Sequence, residues 1–120
     1  MEILNSSGWI WIKNSNSTEK RDQIKGKYLF FSDNKEELIE LGKQILNKYG
    51  LLVAKTPISE VANKNKGFGF VLCVYDIINR YSNELKTLET NSISYRYWKS
   101  DDDTRNKKYS KQYKNSNQWK

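Results

Sequence analysis

The stretch "FGFVLCVYD", residues 68 to 76, does most to limit how this chain can fold. It is the most hydrophobic run in a sequence of which 29% is charged. A short, continuous apolar run rich in rings and branched side chains reads as a strand buried on both faces, expected at the centre of a sheet. The rest of the chain must then flank that strand or cover it.

Three other segments supply flanking strands. In "SGWIWIKN" the period of two sets Trp9 and Trp11 on one side and Ile10 and Ile12 on the other, a strand over residues 8–13. "KYLFFS" follows the same rule, with Tyr28 and Phe30 opposite Leu29 and Phe31, and "LLVAKTP" reads as a strand that ends at Pro57. The last strand is "ISYRYW", where alternation predicts Ile93, Tyr95 and Tyr97 on one face and Ser94, Arg96 and Trp98 on the other. Between these runs, residues 14–26 and 59–67 are polar, rich in turn formers and closed by glycine, and are expected to be exposed loops.

Two segments read as helices. Ser32 or Asp33 can cap the first; acidic residues crowd its opening turn, Leu38, Leu41, Ile45 and Tyr49 recur at helical spacing, and Gly50 stands where a helix stops, giving residues 34–49. A second helix over residues 77–89 would place Ile77, Ile78, Tyr81, Leu85 and Leu88 on one face. The order strand, strand, helix, strand, strand, helix, strand predicts an α+β fold: a curved, mostly antiparallel sheet of about five strands with both helices on one face. At 120 residues one core is expected, in a single domain over residues 1–110 with a polar, basic tail at 111–120. Hydrophobic residues make up only 37% while 13% are aromatic, so rings are expected to supply much of the buried area. The second face of the sheet is left open, and an open face that carries rings is a binding surface in many small domains.

Composition narrows the chemistry. The chain has no histidine and a lone Cys73, which removes the usual zinc sites and the Ser-His-Asp and Cys-His nucleophile systems. Cys73 has no partner for a disulfide within the chain and reads as a small buried hydrophobe. No run approaches the roughly 20 apolar residues that span a bilayer, and the N-terminus lacks the basic and apolar regions of a signal peptide, so a cytoplasmic protein away from membranes is expected. Abundant Asn and Lys with scarce Ala and Pro suggest an AT-rich coding bias, and so a low-GC bacterium or its phage.

The net charge of +7 is unevenly spread: from Arg96 onward eight basic side chains face three aspartates, a net of +5, against +2 for the first 95 residues. This asymmetry points to an anionic partner: a nucleotide, a nucleic acid or an acidic protein surface. Arg96 offers a planar fork for phosphate, Trp98 a flat platform for a base, and Lys99, Arg105 and Lys107 further charge. Trp9 and Trp11 either stack on a ligand or belong to the core. Lys55 in "AKTP" is a candidate phosphate ligand, or a base if buried. Asp101, Asp102 and Asp103 suit either a divalent cation or, more simply, a turn neutralised by its basic neighbours; no metal site and no cofactor is assigned.

Taken together, "SGWIWI", "GKYLFFSDNKEELIELGKQI", "LLVAKTP", "FVLCVYD" and "SYRYWKSDDDTRNKKYS" resemble, in this order, the family related to basophilic-leukaemia-expressed protein, which carries a phosphothreonine lyase domain label. That family is similar in fold to the cap-binding translation initiation factor 4E. The resemblance covers residues 7 to 110 and implies a curved antiparallel sheet with helices on its convex face. It sets the family's lysine on Lys55 and its closing motif on Trp98, Lys99, Asp101 to Thr104 and Tyr109. Trp98 replaces the family's usual Tyr, and Lys107 its usual glycine. A lyase would need a base and an acid, and the lysine–histidine pairing of known lyases is missing here. The cap-binder resemblance, with tryptophans around a base and cations on phosphates, suits the residues present.

The leading expectation is therefore a non-catalytic binder of a nucleotide or other phosphate-bearing ligand. Its site would draw on Trp9, Trp11, Lys55, Arg96, Trp98, Lys99, Arg105, Lys107 and Tyr109. In a phage, such a protein would sequester a host nucleotide signal as a form of viral counter-defence. Rival expectations are a basic interaction or inhibitor protein docking on nucleic acid or an acidic host protein, and a phosphothreonine lyase-like enzyme.

Overall fold

A computed structural model of the chain describes residues 1–59 and 69–101. The described residues form an α+β fold with one six-stranded sheet: β1 (Glu2–Ser6), β2 (Trp9–Lys13), β3 (Gly26–Ser32), β4 (Val53–Pro57), β5 (Phe70–Asp76) and β6 (Ile93–Ser100). The strands lie in the order β1-β2-β4-β5-β3-β6, and every neighbouring pair is antiparallel. The apolar run at β5 does lie inside the sheet, between β4 and β3.

The sheet holds one strand more than expected. β1 is exposed at all five positions, so it lacks the apolar alternation that marks a half-buried strand. It forms by pairing along β2 through a two-residue turn, where Ser7 (φ 54°) and Gly8 (φ 83°) both take the left-handed backbone that tight hairpins require.

Helix α1 (Lys35–Tyr49) lies across the sheet and buries Leu38, Leu41, Gly42, Ile45 and Leu46. Its cap is Asn34, whose side chain accepts from the Glu37 N–H, rather than Ser32 or Asp33. Those two serve the approach instead: Ser32 Oγ accepts the Asn34 N–H, and Asp33 Oδ1 accepts the Gly69 N–H. Gly50 ends the helix at φ 67° and donates its N–H to Leu46 O. At Gly42 the helix comes so near the sheet that an added Cβ would stand 2.9 Å from Ile12 Cδ1.

The second helix is much shorter than its apolar spacing suggested: α2 spans Ser82–Lys86. The reason lies at Asp76, which is fully buried. Its carboxylate accepts the Ile77 N–H at 2.7 Å and the Tyr28 O–H at 2.7 Å, while Tyr28 Oη accepts the N–H groups of Arg80 and Tyr81, both at 3.1 Å. Backbone donors bound by side chains in this way are turned out of helical geometry.

The core joins α1, α2 and the helix-bearing face of the sheet in one cluster, from Ile12 through Leu38, Leu46, Leu72 and Val74 to Leu85. Tyr28 and Phe30 are its fully buried rings among the described residues, and Tyr49, Phe70, Tyr81, Tyr95 and Trp98 pack partly buried against it. The loop after β2 is also less free than its polarity implied. Asn14 is buried and donates to Leu46 O and Leu51 O, Ser17 donates to Gly50 O, and Glu19 pairs with Arg80. No helix among the described residues is long and apolar enough to cross a membrane.

Candidate functional site

Strand register decides which side chains share the face that α1 and α2 leave uncovered. Since Ile10 and Ile12 enter the core, Trp9 and Trp11 project the other way. Lys55 stands opposite Trp11 on one side and Cys73 on the other, and Tyr75 stands opposite Lys27, which in turn faces Lys99. Rings and cations from five strands therefore meet on one surface, which neither α1 nor α2 covers.

Lys55 is the centre of the group. Its Nζ lies 4.0 Å from the centroid of the Trp9 ring and 5.1 Å from that of Trp11, with Tyr75 at 5.9 Å. The Trp side chains, left open between core and ligand by the sequence, thus hold a lysine ammonium by cation–π attraction. Burial lowers the Lys55 pKa below its ordinary 10.5; a negative Cys73 would oppose that shift, and the Lys27 and Arg21 charges add to it. Arg21, carried on a single 3-10 turn (Arg21–Gln23), lies 5.7 Å over the Trp11 ring, and Lys27 lies 5.9 Å over Tyr75.

Beside these groups a depression of about 190 Å³ is lined by Trp11, Arg21, Ile24, Val53, Tyr75 and Asp101. Burial pushes the Tyr75 hydroxyl well above the usual tyrosine range, with Cys73 and Asp101 acting in the same direction, so it remains a proton donor. Cys73 is buried, as expected, and burial raises its thiol while the charges of Lys27, Lys55 and Lys99 pull the other way. Lys55 pairs with Cys73, and Lys27 stands between Tyr75 and Lys99, so three lysines share this part of the face.

The last strand departs from its predicted alternation. Leu29 pairs with Tyr97 but Phe30 with Tyr95, so Arg96 is an extra residue at a bulge. The bulge separates Arg96 from Trp98. Arg96 lies 5.4 Å over Phe31 on the uncovered face, and Tyr97, 47% exposed, joins it there. Trp98 goes to the opposite face, packs 4.9 Å from Tyr28 and lines a separate depression with Ile77, Ile78 and Asn79. Tyr95 also turns inward, edge-on to Phe30 at 5.1 Å, with its hydroxyl 2.9 Å from Ser82 Oγ.

Of the residues singled out from the sequence, Trp9, Trp11, Lys55, Arg96 and Lys99 share one face and Trp98 does not. Arg105, Lys107 and Tyr109 lie outside the described residues, as do Asp102 and Asp103. Asp101 is described at the rim of the depression, where its N–H donates to Lys25 O at 2.7 Å. Lys27, Tyr75 and Arg21 were not anticipated. Alternation in "GKYLFFS" does set Lys27 beside Leu29 and Phe31, but only the pairing of β3 with β5 and β6 brings it to Tyr75 and Lys99. No protein-family model, no curated protein and no solved structure matches the chain, so its geometry alone must carry the functional assignment.

Proposed function

We propose that the protein is a non-catalytic binder of a nucleotide or another phosphate-bearing ligand, captured on the uncovered face of the sheet. The observation that carries this is the crowding of Lys27, Lys55, Lys99 and Arg21 around Cys73 and Tyr75. Lys27 faces Lys99 directly across a strand pair, and Lys55 keeps a charge that burial and its neighbours disfavour. Like charges in register cost stability. A ligand phosphate among them accepts charge-assisted hydrogen bonds. Tyr75, held protonated, supplies a neutral donor beside them. Because Lys55 fills the space between the two indoles, they act first by positioning the ammonium, and a base stacks on ring surface outside that slot.

In this account Arg96 and Tyr97 extend the site across β6, and nothing at the site requires chemistry on the ligand. If the coding bias does mark a phage, capture of a host nucleotide signal is the corresponding role, since it requires affinity alone. Titration calorimetry against mononucleotides, cyclic dinucleotides and ADP-ribose derivatives tests the proposal. At least one member of that panel should bind, and Lys55→Ala should weaken it roughly tenfold, the value of one charged hydrogen bond. Silence across the whole panel would sink the idea.

One observation favours a second, lyase-like reading: the lowered pKa of Lys55 makes its amine a better candidate to accept a proton than an ordinary lysine. Phosphate release from phosphothreonine peptides, abolished in Lys55→Ala, is its expected result; no release from any such peptide removes it.

A further inference from the structure

We infer that the ligand of this face is single-stranded nucleic acid several nucleotides long, laid across the strands, rather than a lone nucleotide. This rests on the phosphate-binding role proposed above and goes on to name the ligand. The groups suited to nucleic acid extend beyond the cluster around Lys55 to the far edge of the sheet. Rings stand on β2 (Trp9, Trp11), on β5 (Tyr75) and on β6 (Tyr97), while cations stand between them on β4 (Lys55) and β3 (Lys27) and at the far edge on β6 (Lys99).

From β2 to β6 the sheet order has four inter-strand steps, about 19 Å at roughly 4.8 Å each. That span exceeds one nucleotide. A ligand with a single base and one phosphate cluster would engage the Trp9–Lys55–Trp11 end or the Tyr97 edge, and leave the other unused. A strand of successive bases and phosphates meets both, by stacking on separated rings while its backbone follows the cations, the usual design of single-strand binders.

Charge complementarity agrees. On β1 at the sheet edge Glu2 stands opposite Lys13, and Asp101 lines the depression beside Arg21, while Lys27, Lys55 and Lys99 carry the positive charge across the strands between. The exposure of Tyr97 has no role in the core, since the bulge that sends Trp98 and Tyr95 inward leaves Tyr97 pointing out. Duplex DNA or RNA is a poorer fit, because its bases are stacked on one another and show the sheet only their edges.

Fluorescence anisotropy with 5′-labelled oligothymidylates of one, two, four and eight nucleotides, and with a labelled duplex, tests the inference on the full chain. Affinity should rise at least tenfold from one nucleotide to four and then level off once the face is filled. For the tetramer, log K against log salt should fall with a slope of about −2 to −3, the value for three or four neutralised phosphates on a single strand. Tyr97→Ala, a surface change on an edge strand, should weaken the tetramer about fivefold or more and so narrow its advantage over the mononucleotide. Mononucleotide and tetramer bound equally well, or duplex bound as tightly as single strand, would overturn this inference and leave the phosphate-binding proposal standing. No binding of any nucleotide or oligonucleotide would remove both.

Discussion

Neighbouring residues on β3 and β5 point to opposite faces of one sheet, and the two faces treat charge in opposite ways. On the covered face, Asp76 is fully buried but completely engaged: its carboxylate takes the Tyr28 O–H, the Ile77 N–H and the Arg80 guanidinium, at 2.7, 2.7 and 2.8 Å. On the uncovered face, one residue along each strand, Tyr75 and Lys27 belong to a patch where lysine faces lysine. A buried charge with its partners in place shapes a fold, whereas like charges set in register on an accessible face weaken it. The contrast separates the charge that holds this fold together from the charge its open face displays.

Breaking the covered side should have the largest effect. Asp76→Asn removes the buried charge that pairs with Arg80 and puts an amide NH2 where one of the two acceptor oxygens stood, and should lower unfolding free energy by about 3 kcal/mol in urea titrations; a loss within error would show the network to be dispensable. Next comes Gly26→Ala, because an added Cβ would stand 2.5 Å from the Trp98 ring and 2.7 Å from Lys99 O. Overpacking of this sort costs about 2 kcal/mol, and the near-ultraviolet circular dichroism of Trp98 should change with it.

The uncovered side should respond more gently and with the opposite sign. Lys27→Met relieves the Lys27–Lys99 opposition, so the ligand-free protein should gain about 0.5 kcal/mol in stability. The same change should weaken a phosphate ligand roughly tenfold by titration calorimetry. Stability and binding would thus move apart, as they do where a site is kept at the fold's expense.

Smallest, but most specific, is the effect of alkaline pH. The native Lys55 pKa lies below the 10.5 of an ordinary lysine, so between the two values the unfolded chain holds the proton more often than the native one. Stability at this group therefore rises with pH through that window, while ligand affinity falls through it as the ammonium is lost. Lys55→Arg, charged throughout, should flatten both trends. Affinity that stays level in wild type up to pH 10.5 would show that Lys55 does not bind as a cation.

Much of this contrast was legible before any tertiary contact was known. The alternation of "WIWIK" separates Trp9 and Trp11 from Ile10 and Ile12, and "VLCVYD" marks an interior strand, because a period of two is written directly in residue order. Helix α1 announces itself through its spacing, its acidic first turn and Gly50. What failed did so for identifiable reasons. β1 carries no apolar face and exists by hydrogen bonding to β2. Residues 77–81 have helical spacing, but the N–H groups of Ile77, Arg80 and Tyr81 are taken by Asp76 and by Tyr28, 48 positions away from it in sequence.

The site divides along the same line. Local order alone determined that the chain has a ring-bearing strand, a lysine at the end of another, and an arginine-bearing last strand, all without a histidine for acid–base work. Only the tertiary structure decided that Lys55 fits between Trp9 and Trp11, that Lys27 meets Lys99 beside Tyr75, and that a bulge at Arg96 sends Trp98 to the core side and Tyr97 to the open one. Alternation is a property of neighbouring residues and can be read along the chain; register is a property of strands far apart in sequence, and a single extra residue reverses every face that follows it.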